Sequence, residues 1–164
     1  DFVFYDNIHY FLQEYEAWEK TYTSNFGALN AFDDENYLQF LSGGNDATFR
    51  SSQDGHVGNV NSIFWDYTGV YGIGNVASNS GLKTLTLDYD FFDNEFFELT
   101  VINDSSIELL HAASGTIYEF EGQGYIPYYR TSDAQGKVNK YEDKLKKRKQ
   151  STPKVDNLRD NKRG

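Results

Sequence analysis

The strongest constraint on the fold is the alternation of apolar and polar residues between Gly81 and Gly122. Four short segments of β character follow one another there, separated by turn residues. In the first segment the apolar side chains are those of Leu85, Leu87, Tyr89 and Phe91. Successive side chains of a strand point to opposite faces, so a period of two places one set in a core and the other in water. The stretch therefore predicts an antiparallel meander.

The same alternation predicts which side chains of the meander are buried. The apolar interior is predicted to contain Leu85, Leu87, Leu99, Val101, Leu109 and Phe120. The acidic exterior is predicted to contain Asp88, Asp90, Glu98, Glu108, Glu119 and Glu121. The sheet should therefore carry an apolar inner face and a negatively charged outer face.

Shorter segments of the same kind precede the meander. We predict strands at 37–41, 48–51, 56–61 and 64–73, with turns at 43–46 and Asp54-Gly55. Gly69 and Gly72 interrupt the last of these strands, which predicts a bulge or a bend there. Although only 38% of the residues are hydrophobic, 13 Tyr and 13 Phe supply large buried areas.

The residues before the first strand show a helical pattern. Apolar residues between Phe2 and Thr23 recur at spacings of three and four, at Ile8, Phe11, Leu12, Tyr15, Trp18 and Tyr22. We therefore predict an amphipathic helix and loop over 1–36, a barrel domain over 37–130 and a basic extension, partly helical or disordered, over 131–164. The fold class is mainly β: an antiparallel up-and-down barrel, or a strongly curved sheet, of about eight strands.

The charge of the chain is divided unevenly. Eleven Lys/Arg and five Asp/Glu lie from Asp133 onward, so the extension carries +6 and the remaining residues −16 of the net −10. The densest basic run contains Lys144, Lys146, Lys147, Arg148 and Lys149. The simplest interpretation of this basic run is a charged tail that stays in water. The functional interpretation is that the run docks on an acidic protein surface. Nucleic acid is the poorest partner, because the body would repel it and no aromatic side chains interleave the run.

No arrangement of residues in the sequence indicates catalysis. The chain has no cysteine, and His9, His56 and His111 lack the spacing of metal ligands. The acidic residues between Asp88 and Glu95 lack a calcium-loop pattern and fit the wet face of a strand followed by a turn. We therefore predict no metal, no cofactor and no enzymatic activity, while a hydrolase with an acidic residue pair remains an alternative.

Three aromatic residues form a separate candidate site. Trp65, Tyr67 and Tyr71 share one parity in the predicted strand at 64–73. Aromatic rings line small-molecule cavities and stack on sugars, but the same parity is what simple burial in a core requires. We therefore predict that these three rings pack in the core. A platform that binds a ligand is the alternative role.

The order of the strand motifs resembles that of a known group. The motifs are Leu38-Gln39-Phe40, Asp54-Gly55, Gly69-Val70-Tyr71, Leu85-Thr86-Leu87, Ile107-Glu108-Leu109 and Tyr118-Glu119-Phe120. They resemble the lipocalin-like small barrel domains common among envelope proteins of Bacteroidota, over about half of the chain. The chain departs from that pattern in its helical start, its basic extension and its lack of the cysteine with which a lipoprotein begins.

The resemblance implies a secreted or cell-envelope location, in the periplasm or at the outer-membrane surface. We accordingly predict a non-enzymatic accessory subunit or binding module of a larger, outer-membrane-associated assembly, which meets its partners through the N-terminal helix and the basic extension. A lipocalin-like carrier of a small ligand or carbohydrate is the alternative. The sequence contains no apolar run near the length that spans a bilayer.

Overall fold

A barrel of eight strands forms the body of the protein. The computed structural model describes residues 8–43 and 46–126. The strands are β1 (Tyr15–Thr23), β2 (Tyr37–Gly43), β3 (Asp46–Ser52), β4 (Tyr67–Val76), β5 (Asn79–Tyr89), β6 (Glu95–Asn103), β7 (Ser106–His111) and β8 (Ile117–Tyr125). Each strand pairs antiparallel with the next, and β8 pairs with β1, so the barrel is closed. The predicted up-and-down barrel is thus confirmed.

The helical structure before the barrel ends earlier than predicted. Within the described residues helix α1 spans Ile8–Gln13, and Tyr15–Thr23 is strand β1. The prediction of a helix through Thr23 is therefore wrong, and the barrel begins well before residue 37. Strand β1 is rich in aromatic residues and threonine, which favour extended backbone, and it gains hydrogen-bonding partners in both β2 and β8.

The meander has the predicted inner and outer faces. Five of its predicted interior side chains are fully buried, namely Leu85, Leu87, Leu99, Leu109 and Phe120, and Val101 packs against them. The predicted exterior acids are exposed or half-buried. Phe91 is an error of the prediction, because β5 ends at Tyr89 and the Phe91 side chain lies in a turn, 86% exposed.

Side chains from flanking segments cover both ends of the barrel. At the helix end, α1 buries Phe11 and Leu12, and the carbonyl of Leu12 accepts a hydrogen bond from Trp18 Nε1 at 2.9 Å. At the opposite end, which we call the loop end, a 3-10 turn (Ala31–Asp34) buries Phe32. The Phe32 ring centroid lies 4.8 Å from that of Phe97 in the barrel wall. An eight-stranded barrel is narrow enough for such side chains to fill its interior.

The connection between β3 and β4 builds a second, smaller core outside the barrel. Its residues Ile63 and Trp65 pack on Tyr37 and Ala17, whose side chains belong to β2 and β1. The predicted strand at 56–61 is wrong, since these residues belong to a long connection that contains a second 3-10 turn (Val60–Ser62). The local hairpin signal is overridden because the apolar side chains of the connection gain burial on the outer face of the sheet.

Gly69 is required by a close approach of two strands. The pairing of β4 with β5 is regular at Gly69 and Gly72 and shifts only between Asn75 and Val76, so the predicted bulge lies elsewhere. A Cβ atom at Gly69 would overlap the carbonyl oxygen of Asp88. The absence of a side chain there lets β4 and β5 approach.

The basic extension at 131–164 lies outside the described residues, as do the first seven residues. Within the described part, no helix is long and apolar enough to cross a membrane.

Candidate functional site

A series of hydrogen-bonded polar side chains occupies the loop end of the barrel. Glu95 and His111 are both buried, and Glu95 Oε1 lies 2.7 Å from His111 Nε2. The other ring nitrogen, Nδ1, lies 2.7 Å from Ser114 Oγ in the turn between β7 and β8. Ser114 Oγ also accepts a hydrogen bond from the backbone N–H of Thr116 at 3.1 Å. A carboxylate, an imidazole and a hydroxyl are thus connected in order.

The series continues across the mouth of the barrel. Asn30 Nδ2 donates to Ser114 Oγ at 3.2 Å and to the Tyr118 hydroxyl at 3.0 Å. Tyr118 in turn donates to Asp33 Oδ1 at 2.6 Å. Lys20 Nζ donates to the carbonyl oxygen of Asp33 at 2.7 Å and lies 5.1 Å from the centre of the Tyr118 ring. We call Glu95, His111, Ser114, Asn30, Tyr118 and Asp33 the polar series.

The register of the sheet explains why the first members of the series are buried. Glu95 pairs with the inward-facing Leu87, and His111 pairs with the inward-facing Phe97. Paired residues of neighbouring strands share a face, so both ionisable side chains point into the barrel. The Phe32 ring stacks parallel to the His111 ring at 6.4 Å between centroids and covers it. The pair is thereby separated from bulk water.

Burial changes the acidity of two groups at the loop end. The pKa of Tyr118 is raised well above its ordinary value, first by burial and second by the hydrogen bond to Asp33. Burial lowers the pKa of Lys20, while the negative charges of Asp33 and Glu35 oppose that shift. Tyr118 is therefore a hydrogen-bond donor at neutral pH, and Lys20 is the only Lys or Arg side chain in the hydrogen-bonded contacts described above.

A second buried carboxylate lies beside the series. Glu35 has no exposed surface, and its Oε1 accepts hydrogen bonds from Ser51 Oγ and from the Tyr89 hydroxyl, both at 2.6 Å. A buried carboxylate is costly unless such donors satisfy it. These contacts attach the loop that covers the barrel to strands β3 and β5.

The three aromatic residues of the predicted ligand platform do not lie on one face. Tyr67 and Tyr71 belong to the core inside the barrel, whereas Trp65 precedes β4 and belongs to the outer core. The prediction that all three side chains share one face of the strand is therefore wrong for Trp65. All three side chains are buried. The Trp65 indole N–H has no hydrogen-bond acceptor among the described residues. A ligand-binding role for these residues stays a prediction.

The three histidines lie in separate places. His9 Nδ1 is 3.1 Å from the Tyr71 hydroxyl at the helix end, and burial lowers the pKa of His9. His56 Nδ1 is 2.8 Å from Glu19 Oε2 on the outer surface, and His111 belongs to the polar series. Over residues 8–43 and 46–126, no group of three or more His, Asp or Glu side chains is placed to hold a metal ion.

Large apolar side chains are exposed at the rim of the loop end. Leu29 is 95% exposed and Phe26 59% exposed in the connection from β1 to β2, and Phe91 projects from the connection between β5 and β6. In an up-and-down barrel these two connections lie at the same end. We call Phe26, Leu29 and Phe91 the apolar rim. Large apolar side chains that stay exposed are candidates for anchors in an interaction surface.

Part of the polar series carried a signal in the sequence. Glu95 is spaced in step with Phe97 and Leu99, and His111 with Leu109, so the alternation offered a signal for the inner face. Glu95 was nevertheless grouped with the acids of a wet strand face and turn, which is wrong for Glu95 because its side chain is buried. Glu35 carried no such signal, because it follows a 3-10 turn whose position depends on the closed barrel.

Comparisons with protein-family models, curated proteins and solved structures give no match for this chain. The functional argument therefore depends on the contacts and exposed surfaces of the molecule itself.

Proposed function

We propose that the protein is a non-enzymatic binding module that serves as an accessory subunit of a larger protein assembly at the cell envelope. The apolar rim is the observation that carries this proposal. Phe26, Leu29 and Phe91 are large apolar side chains that the barrel leaves in water at one end. The envelope location follows from the resemblance to lipocalin-like barrels alone.

The arrangement of the core supports binding on the outside of the barrel. Phe11 and Leu12 cover one end of the interior and Phe32 covers the other, and aromatic side chains fill the space between them. Aromatic and aliphatic anchors that enter a partner's pocket contribute most of the energy of a protein interface. Asp90 and Asp93, both exposed beside Phe91, favour a partner whose pocket is bordered by basic residues.

Affinity capture from native membranes tests the proposal. The full chain is compared with a variant in which Leu29→Ser and Phe91→Ser remove two anchors of the rim. A matched control carries Val70→Ser and Ile102→Ser, which change two exposed apolar residues on strands, outside the apolar rim. We expect a partner retained by the full chain and the control but depleted by the rim variant, because a buried apolar anchor contributes about 2 kcal/mol or more. Equal capture by all three proteins would contradict the role of the rim.

Hydrolysis is the second candidate function, and the series Glu95–His111–Ser114 is the observation that favours it. With the His111 proton on Nε2, that nitrogen donates to Glu95 while Nδ1 accepts the proton of the Ser114 hydroxyl. This is the order of groups that activates a serine nucleophile. The same contacts also hold the turn between β7 and β8 in place, where Gly115 N donates to the His111 carbonyl at 2.8 Å.

A fluorophosphonate probe separates these two explanations. Labelling of the full chain that disappears in Ser114→Ala would support a nucleophilic serine. Labelling that persists in Ser114→Ala, or no labelling of either protein, would leave the contacts as a stabilising element of the turn.

A further inference from the structure

The outer face of β6, β7 and β8 is strongly acidic. Glu108 and Glu119 are direct partners across β7 and β8, and Glu98 and Glu121 flank them on the same outer face. Like charges directly opposite each other in a sheet are destabilising. Between Lys83 and Arg130 the chain contains no lysine or arginine, so these three strands supply no cation of their own.

The same face carries apolar side chains at its loop end. Leu110 and Ile117 are partners across β7 and β8 and are half-buried, and Phe96 on β6 is 54% exposed. We call Glu98, Glu108, Glu119 and Glu121, with Phe96, Leu110 and Ile117, the acidic wall. A fitting occupant needs closely spaced cations together with a few apolar side chains.

Residues 137–149 of the same chain have this composition. The segment contains seven Lys/Arg and two Asp/Glu, and Val138, Tyr141 and Leu145 recur at spacings of three and four. Such a spacing places them on one face if the segment forms a helix on binding, with the cations beside them. The segment therefore complements the acidic wall in both charge and apolar content.

The chain is long enough to bring this segment to the wall. Strand β8 runs from the loop end to the helix end, where Ile126 N donates to the Glu14 carbonyl at 2.6 Å. The eleven residues from 126 to 137 span up to about 36 Å when extended. A nine-residue strand such as β8 is about 30 Å long. The segment can thus return along the outside of β8 to the apolar part of the wall.

We infer that residues 137–149 dock on the acidic wall of their own barrel. The lysines and Arg148 lie against the paired glutamates, and the apolar residues of the segment cover Leu110, Ile117 and Phe96. Attachment through a short connection gives the segment a high effective concentration at the wall, so weak individual contacts suffice. The acidic wall shares no residue with the apolar rim that the proposed function uses.

Zero-length cross-linking of the full chain with a carbodiimide tests the inference, since it joins lysine to carboxylate only when they touch. We expect cross-links from Lys144, Lys146, Lys147 or Lys149 to glutamates of the acidic wall, within a monomer by light scattering. We expect them to disappear at 1 M salt, where charges are screened beyond about 3 Å.

A pair of matched variants makes the test specific. Glu108→Gln with Glu119→Gln neutralises the centre of the wall, and Asp93→Asn with Asp104→Asn makes the same change in charge at exposed turns. Loss of two surface ion pairs should weaken docking of the segment by about 0.7 kcal/mol, which is about threefold in the docking equilibrium constant. The yield of cross-links at Glu98 and Glu121 should therefore fall by up to about threefold in the wall variant and stay unchanged in the control.

Three outcomes would overturn the inference. They are cross-links spread evenly over all exposed acids, equal loss in both variants, and cross-links that join two copies in a dimer. None of these outcomes bears on the affinity capture described above, which depends on Leu29 and Phe91. The two proposals can therefore fail separately.

Discussion

Tyr118→Phe is the substitution for which the structure makes the most detailed prediction. The Tyr118 side chain is fully buried, and its hydroxyl donates to Asp33 Oδ1 at 2.6 Å and accepts from Asn30 Nδ2 at 3.0 Å. A hydrogen bond to a charged group contributes about 1.5–3 kcal/mol. At pH 7 we therefore expect the variant to have a free energy of unfolding about 2 kcal/mol lower than that of the parent protein.

This difference should shrink at alkaline pH. The raised pKa of Tyr118 means that the folded protein keeps the hydroxyl proton, whereas the unfolded chain loses it above about pH 10. The stabilising contribution is therefore fully present below pH 10 and is lost as the pH rises toward the pKa of the folded state. The loss is about 1.4 kcal/mol per pH unit, so the two proteins should become equally stable near pH 11.5, by the linkage between pKa and stability.

Urea unfolding followed by circular dichroism between pH 7 and pH 11.5 measures both effects. Comparing the two proteins at each pH removes the contributions that the substitution leaves unchanged. Tyr22→Phe serves as the control, because Tyr22 is 47% exposed and its substitution should change the free energy of unfolding by no more than about 0.5 kcal/mol at pH 7. A difference between Tyr118→Phe and the parent that stays constant over this range would refute the reasoning.

Further predictions concern packing and pairing, all measured by urea unfolding at pH 7. Gly69→Ala should destabilise by about 1–3 kcal/mol because its Cβ would overlap backbone, whereas Gly72→Ala, with open space at its Cβ, should change little. Glu95→Leu and His111→Phe should each destabilise, and the double variant should lose less than the sum by about 1 kcal/mol or more; additive losses would argue against a coupled pair. Trp65→Phe should destabilise by about 1–3 kcal/mol, because the smaller ring leaves a cavity between Ile63 and Tyr37; an unchanged free energy of unfolding would argue against a packed outer core.

The meander was predictable because its information is local. Leu85, Leu87, Leu99 and Leu109 lie on strands whose neighbours in sequence are also their neighbours in space. Each strand repeats with a period of two, and short turns fix the register of the next one. The pattern alone was therefore sufficient to separate the buried face from the acidic one.

The remaining parts of the fold depend on contacts that are distant in sequence. In β1, Tyr15 and Trp18 are three residues apart, which matches a helical period, and only pairing with β8 decides that they are extended. In the connection from β3 to β4, Asp54-Gly55 favours a tight hairpin locally. Burial of Trp65 against Tyr37 outweighs that preference, so no local reading of the sequence could predict it.

The candidate site was partly predictable for the same reason. Glu95 and His111 follow the alternation of their strands, which could have indicated their inward direction, although Glu95 was grouped with the acids of a wet face and turn. Their meeting with Ser114 and Asn30 was not visible in the sequence, because Asn30 belongs to the connection from β1 to β2, which reaches the turn between β7 and β8 only when β1 pairs with β8. The contact joins residues that are 84 positions apart in the chain.

The pairing of β1 with β8 has a consequence for the time course of folding. Tyr15 meets Tyr125, so the first strand cannot find its second partner until nearly all of the barrel sequence has been synthesised. Until then both β1 and the growing edge of the sheet present unpaired backbone groups, which are available to other chains. Because ring closure joins such distant residues, we expect refolding to take milliseconds to seconds rather than microseconds, as for other barrels rich in non-local contacts. A molecule that is truncated before β8 should therefore remain an open sheet that is prone to associate.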